Sequence, residues 1–571
     1  MTTFQARRLH NCIAAMLVAL LIALCLLSMR FNSPTADEQN HISRGYHYLV
    51  TGNLDLNVAP PFVNALSAIP LLFQRGITIP SYDVTHTKTY INQFAEEFVW
   101  VYNDAERIIN GGRLAIIALS AVLGYFVFRW ARELWGLWGG LLALFLYVLD
   151  PNILAHSQLV TTDLGVACLL FISVYFLWRF LQHRKTVDLA LAGIVMGLAQ
   201  ATKFSALLLL PTFALALPIE AIVMRKQPLP SKWPVPGRFA QTPLRRAAAF
   251  FVATLFIVGF CAFVAFWASY GFETGSLSAP GADHATVDRL IGHPGLRQLA
   301  YRVIEAVPMP FPTYFRGLGW LGRYAQRGAP AFLMGQQSDK GWWYYFLVAF
   351  AIKTPIPVLI LFGTAVLLSV SGRRDASKRE YLLYLPIALF FLATFLSFLN
   401  IGYRHILPVL PFVFVSAGSV LARDAKRGLR VAVAVLCIWH AASSLAIYPH
   451  YLAYFNEFVG GADNGYHYLV DSNLDWGQDL KNLKVYIDEH GLQEVHLAYF
   501  GSAHTDYYGI EALPLPTEKP PDLDERRPAV YAISATYLQG GYLSDSAAFS
   551  WLRPYEPFAK IGYSIFLYRL P

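Results

Sequence analysis

The sequence predicts a polytopic α-helical membrane protein with a small α/β domain outside the membrane at its C-terminal end. Three observations predict it. About eleven apolar runs reach bilayer-crossing length, roughly 17–25 residues, in a chain of 571 residues that is 56% hydrophobic. Lys and Arg cluster in alternate connections between those runs, the bias that orients membrane helices. The charge also changes sign along the chain. Residues 451–571 hold 16 acidic and 8 basic side chains, a net of −8, and the rest carries +16.

The runs expected to span are 11–29, 112–130, 135–150, 163–181, 187–201, 204–224, 247–270, 355–371, 381–399, 405–421 and 430–447. With a cytoplasmic N-terminus, the odd-numbered helices run outward. The inner connections then hold Arg7 and Arg8 and the segments 129–132, 183–185, 225–246, 373–379 and 423–430, all basic. A shift of one helix would move several of these clusters outside. The first run lacks a small-x-small cleavage site before Asn32, so a retained helix is expected rather than a cleaved signal peptide.

The basic surplus is therefore read as topology, not as nucleic-acid binding. Aromatics at 15% suit interfacial belts. The five cysteines (Cys12, Cys25, Cys168, Cys261, Cys437) lie in or beside apolar runs with no CxxC pair, which indicates neither a disulfide framework nor a zinc site.

The outer side is expected to carry two long loops, 30–111 and 271–354, three short turns near 150–162, 200–204 and 400–405, and the C-terminal domain 449–571; residues 1–448 form the membrane domain. In the first loop, Pro60-Pro61 opens an apolar stretch to Phe73 that is too short to span and suits the interface. The second loop ends in the aromatic run 341–345 and then Lys353-Thr354-Pro355, with Pro355 suited to a first helical turn. In the C-terminal domain, 480–489 has helical spacing, 494–500, 529–538 and 563–570 read as strands, and Pro-rich 513–527 reads as a loop. Residues 45–55 match 465–475 at nine of eleven positions; nothing continues on either side, so chance or a shared local turn is the expectation rather than a repeat.

Ionisable side chains gather at helix ends on the outer side, a placement that in membrane proteins marks function. Asp37-Glu38 follow the first helix within about ten residues, where a carboxylate stays ionised and suits a general base that deprotonates a hydroxyl. Asp163 closes the turn after Asp150; Thr161, Thr162 or Asp163 could cap the next helix, and a carboxylate there could also act on Asp37, a metal or an acceptor. Lys203 in Gln200-Ala-Thr-Lys-Phe-Ser205, Arg404-His405 and Lys353 place cations at the same surface. They suit a lipid-linked phosphate held where its head group meets the membrane; simple snorkelling is the plainer alternative. Asp471, Asp475 and Asp479 are spaced i, i+4, which would align three carboxylates on a helix face, or else they form a turn capping the next helix. HExxH, P-loop and partnered GxSxG motifs are absent from the sequence.

Together these features resemble the phospholipid carrier-dependent glycosyltransferases: Asp-Glu after the first helix, Pro-Pro before a short apolar stretch, an outer turn with Asp163, and Ala-Thr-Lys-Phe-Ser. That group contains protein O-mannosyltransferases and the aminoarabinose transferase of lipid A, and has the GT-C fold. The resemblance covers about 31–450. Gly402-Tyr-Arg-His-Ile-Leu-Pro408, with 470–480, looks like a bacterial subgroup. The resemblance implies an inverting sugar transferase that uses a polyprenyl-phosphate sugar donor and a hydroxyl acceptor. Asp37 would be the catalytic base, Glu38 its companion and Asp163 the second acidic residue. Lys203 and Arg404, with His405 adjacent and Lys353 nearby, would hold the donor phosphate. Ala59 stands before Pro60-Pro61 where relatives often have His.

No cofactor is established, and a divalent metal is left open. The expected location is a bacterial inner membrane, with the C-terminal domain in the periplasm. A transporter or flippase would call for ionisable residues at helix centres, broken helices and internal symmetry. A noncatalytic envelope-assembly protein is the third reading.

Overall fold

The computed structural model describes residues 3–81, 89–224, 242–278, 288, 291–371, 379–422, 426–519 and 529–570. Most of the inner connections expected at 225–246, 373–379 and 423–430, the side chains of Arg7 and Arg8, and part of the 513–527 loop lie outside the described residues.

All eleven expected runs are helical. Seven described helices are long and apolar enough to cross a membrane: Leu9–Ser28, Ala105–Trp135, Thr162–His183, Phe204–Ile222, Pro243–Ser269, Tyr403–Leu421 and Arg427–Ala446. The protein is therefore a multi-pass membrane protein. Two further runs are broken helices. Leu137–Val148 bends by 62° into Pro151–Ser157, and Tyr345–Lys353 by 113° into Ile356–Val370. Each break sits at a proline, which supplies no N–H and restricts the residue before it. At the first, the Asp150 side chain caps the new start, accepting from the N–H groups of Asn152 and Ile153, both at 3.0 Å. The remaining two runs, Thr186–Gln200 and Tyr381–Phe395, are 15-residue helices, only about 22 Å long.

Thr162–His183 is the central helix, with 94% of its apolar window buried inside the protein. It is apolar all round, as a helix enclosed by other helices must be. The second span starts at Ala105, earlier than the run from 112, because Asp104 caps it by accepting from the Arg107 N–H at 2.9 Å. At 31 residues it is about 46 Å long, well beyond the roughly 30 Å hydrocarbon core.

The described part of the segment after the first span is built around the helices Glu38–Thr51 and Phe62–Ala68. They meet at Gly45, where a Cβ would stand 1.9 Å from the Asn64 carbonyl oxygen. Gly45–Thr51 is thus helical, while 466–470 is turn followed by a 3-10 turn at Asp471–Asn473. Beyond their first residue, Gly45 and Gly465, both helical, the two matching eleven-residue segments differ in conformation.

Residues 449–480 are threaded against the membrane helices. The Asn456 N–H donates to the Ile352 carbonyl at 2.8 Å, and the N–H groups of Ser33 and Ala36 donate to the carbonyls of Gln478 (2.9 Å) and Trp476 (3.0 Å). Beyond them, the helix Leu480–His490 packs with a five-stranded mixed sheet. Its order is Ala512–Pro514, Val495–Ala498, Val530–Ser534, Ile565–Arg569, Ala559–Ile561. Ala512–Pro514 is an edge strand, where proline costs no ladder bond, so a strand intrudes on the expected loop. The expected strand 529–538 turns helical at Ala535–Leu538.

One buried ion pair ties the segment after the first span to the helices. The Glu38 carboxylate accepts from Arg113 Nε (2.9 Å) and Nη2 (2.7 Å), from Thr35 N (2.8 Å) and Oγ1 (3.2 Å), and from Val160 N (2.8 Å). Arg113 also donates to the carbonyls of Asn32 (2.9 Å) and Ser33 (3.0 Å). Both side chains are at most 1% exposed. Removing one partner of such a pair leaves an uncompensated buried charge, at a cost of about 3–5 kcal/mol. Glu38→Gln and Arg113→Met should each lower the melting temperature of the detergent-solubilised protein in scanning fluorimetry. Unchanged melting in both would show that the pair holds nothing.

Candidate functional site

A cavity of about 900 Å³ opens where the segment after the first span, the central helix and the later helices meet. Its lining is part charged and part apolar. The charged part is a chain of alternating charges. Lys203 Nζ hydrogen-bonds Asp163 Oδ1, Arg404 Nη1 lies 3.9 Å from Asp163 Oδ2, and the same Nη1 donates to Asp37 Oδ2 at 2.7 Å. The apolar part of the lining includes Leu207, Leu208, Leu318, Leu321 and Phe390. The cavity as a whole suits an amphipathic ligand.

Each charged side chain arrives from its own element. Asp37 precedes the helix Glu38–Thr51 and makes no capping bond with its side chain, so the carboxylate is free to face the cavity, where it is 39% exposed. Asp163 lies in the first turn of the central helix and is 2% exposed. Lys203 stands in the short connection before Phe204–Leu208. Arg404 and His405 sit in the 3-10 turn Tyr403–Val409, which opens the helical segment two residues earlier than the expected 405. Gly402 brings that turn close to the chain at Ser472, whose Oγ would stand 2.2 Å from a Cβ there. The Tyr403 N–H donates to Asn473 Oδ1 at 2.8 Å, and the Arg404 guanidinium stacks on Trp476 at 4.2 Å. Arg404 Nε and His405 Nε2 are buried without a hydrogen-bond partner among the described residues.

Two expected residues are elsewhere. Glu38 faces away from the cavity into the buried pair with Arg113. Lys353 is 2% exposed and closes the helix Tyr345–Lys353 rather than opening the next. Its ammonium donates to the Leu452 carbonyl at 2.9 Å and to the Asn473 carbonyl, and lies 4.6 Å from the Phe455 ring centroid. It supports the segment that holds Arg404.

Several lining residues escaped the sequence reading. Asn40, His41 and Arg44 follow Asp37 on one helix face and all line the cavity. Their i+3, i+4 and i+7 spacing from Asp37 was the available signal. Trp320 and Tyr324 reach in from the amphipathic helix Pro312–Arg327. The three aspartates 471, 475 and 479 do not share a helix face: Asp471 accepts from Tyr542 Oη (2.6 Å), Asp475 from Thr536 N (2.9 Å) and Asp479 from Ser564 Oγ (2.7 Å). Among the described residues, no group of three His, Cys, Asp or Glu is placed to hold a metal ion.

Burial works to raise the Asp37 carboxyl, but Arg404 and His41 outweigh it and hold the group below its usual range. Burial and Arg44 push the His41 imidazole down despite Asp37, and burial lowers the Arg44 guanidinium to about 10. Asp37 is thus an anion at neutral pH, and its stabilising interaction is lost only as pH falls through its depressed value. In Arg404→Gln, burial acts against a weaker opposition, and Asp37 should hold its proton to higher pH. Carbodiimide labelling, which needs the protonated acid, read by mass spectrometry of the Asp37 peptide across pH, should show the onset moved upward. An unmoved onset would mean that Arg404 does not set this ionisation.

Residues 106–235 match the family described as dolichyl-phosphate-mannose-protein mannosyltransferase. No curated protein matches the chain significantly. Among solved structures, the chain is similar to ArnT from Cupriavidus metallidurans bound to undecaprenyl phosphate, at 12% identity and a TM-score of 0.42, over 97% of each chain. It is also similar to the archaeal oligosaccharyltransferase AglB from Archaeoglobus fulgidus in complex with an inhibitory peptide and a dolichol-phosphate, at 14% identity and a TM-score of 0.45. That match covers 87% of this chain and 63% of AglB.

Proposed function

We propose that this protein is a membrane glycosyltransferase that moves a sugar from a polyprenyl-phosphate donor to a hydroxyl acceptor. The observation that carries the reading is the single cavity in which Asp37, Asp163, Lys203 and Arg404 converge beside an apolar wall. The match of residues 106–235 to a mannosyltransferase family supports it.

The chemistry follows from the charges. The apolar part of the lining takes the isoprenoid next to the head group. Lys203 and Arg404 hold the phosphate, with Arg44 as a third cation in the same cavity. A guanidinium can present two parallel donors to a phosphate, and Arg404 Nε has no hydrogen-bond partner among the described residues. Donor phosphate therefore competes with Asp37 for Arg404. As it binds, the 2.7 Å bond to Asp37 gives way, and the carboxylate becomes available to an acceptor.

The acceptor oxygen then bonds to the anomeric carbon while the bond from that carbon to the phosphate oxygen breaks. The acceptor proton passes to Asp37, and the carrier phosphate leaves as an anion held by Lys203 and Arg404. One displacement inverts the anomeric centre. Preorganised cations aimed at the departing phosphate stabilise charge where it develops. Asp163 sits between Lys203 and Arg404 and keeps both aimed into the cavity. The site faces the outer side of a bacterial inner membrane in this reading, and residues 449–571 lie in the periplasm.

Purified protein in proteoliposomes, supplied with labelled polyprenyl-phosphate sugars, should release carrier phosphate or transfer sugar. Asp37→Asn should lower turnover by about 10²–10⁴-fold, the contribution of a positioned general base, and retain donor binding. Near-wild-type turnover in that variant would remove Asp37 from the reaction. Lys203→Ala should chiefly weaken donor binding.

A further inference from the structure

A second cavity, of about 300 Å³, lies beyond the wall formed by residues 399–401. Leu399 and Ile401 line the large cavity, and Asn400 between them lines this one. Its other walls come from the antiparallel pair Ala331–Leu333 and Gln336–Ser338, from Asp471, and from 540–546. Nothing in the proposed reaction uses it.

Its chemistry is specific. The lining offers Asp471, Tyr542, Ser544, Ser546, Gln337 and Asp339, and not one Lys, Arg or His. Its two charged lining groups are both acidic and no lining side chain is cationic, so a phosphorylated or carboxylated ligand would meet repulsion there. Hydroxyl, amide and carboxylate groups around a small cavity instead match a ligand that is both donor and acceptor at many positions. About 300 Å³ is at the small end of ligand cavities, roughly 300–1,000 Å³, room for one sugar ring rather than a chain.

Asp471 is the best-placed acceptor. It is 8% exposed, and Oδ2 takes the Tyr542 hydroxyl at 2.6 Å while Oδ1 takes the Ser472 N–H. Each oxygen retains a lone pair. Asp471 and Tyr542 both hold left-handed backbone, φ 57° and 60°, a conformation that costs energy in residues other than glycine and concentrates at functional sites. Asp471 also acts electrostatically on Arg404 and Tyr324 of the large cavity, which places the two cavities within one field.

We infer that the second cavity binds a neutral sugar ring of the acceptor, so that the acceptor is an uncharged glycan or glycoside and not a phosphorylated lipid. The acceptor role rests on the glycosyltransferase reading; the binding itself does not.

The test uses the full chain in nanodiscs of zwitterionic lipid, without donor. Saturation-transfer NMR is recorded with methyl α-glucoside, methyl α-mannoside and N-acetylglucosamine, and with glucose 6-phosphate as the charged counterpart. At least one neutral sugar should receive saturation, and glucose 6-phosphate should not. Ser544→Trp, at an exposed position that the added ring would use to fill the cavity, should weaken neutral-sugar binding at least tenfold, as should the smaller change Gln337→Ala in the same direction. Asp37→Asn should leave it in place. Silence from all neutral sugars, equal saturation of glucose 6-phosphate, or undiminished binding in both cavity variants would overturn the inference. Binding that behaves as expected in a protein without transferase activity would overturn the reading of the large cavity alone.

Discussion

The buried Glu38–Arg113 pair is the constraint on which the candidate site depends. Its contacts reach three separate parts of the chain: the exit of the first helix through the carbonyls of Asn32 and Ser33, the start of Glu38–Thr51, and the turn before the central helix through Val160 N. Each of the last two delivers a cavity carboxylate. Asp37 is the residue before Glu38, and Asp163 follows Val160 by three. A buried ion pair is weak evidence of net stability, because desolvation offsets much of the attraction. Its effect here is on geometry. It holds two aspartates from different elements on one wall, both facing Arg404.

The cations of the cavity in turn decide what the carboxylates can do. Lys203, Asp163, Arg404 and Asp37 form an alternating line, and a line of that kind is self-satisfied until a competing anion enters. Asp163 is nearly inaccessible, whereas Asp37 is 39% exposed at the open end. A phosphate entering as proposed would therefore release the exposed member first. In the proposed reaction the same charges would let an acidic base and a phosphate share a cavity without repelling one another, because Arg404 answers to both.

Membrane architecture was legible in the sequence because lipid imposes a single rule on every span. Eleven apolar runs became helices, and even the two bent pairs sit at Asp150-Pro151 and Thr354-Pro355, where the breakers are plain. Five of the seven expected site residues line one cavity, since short outer turns allow their charges little travel. Glu38 and Lys353 were not separable from them by sequence. Whether an ion at a helix end faces a cavity or a buried partner depends on tertiary neighbours such as Arg113, 75 residues from Glu38, and the Asn473 carbonyl, 120 residues from Lys353. Arg44 and His41 were missed for the opposite reason: their signal was helical period from Asp37, in a segment with little apolar pattern.

The polar run 470–480 is where these threads meet. Its aspartates pair separately with the sheet and its connections, its Asn473 side chain holds the Tyr403 N–H, and its Trp476 ring lies under Arg404. Lys353, bound to the Asn473 carbonyl, supports the run from the membrane side. The cation that faces the cavity is therefore aimed by a segment from the C-terminal part of the chain. An arginine has many rotamers, and fixing one costs about 2 kcal/mol of side-chain entropy. Stacking on a ring that is itself buried offsets part of that cost, so Arg404 would meet the proposed phosphate already oriented. On this view the run 470–480 belongs to the site as much as the membrane helices do, although among its side chains it is the stacking ring of Trp476 that contacts Arg404 there.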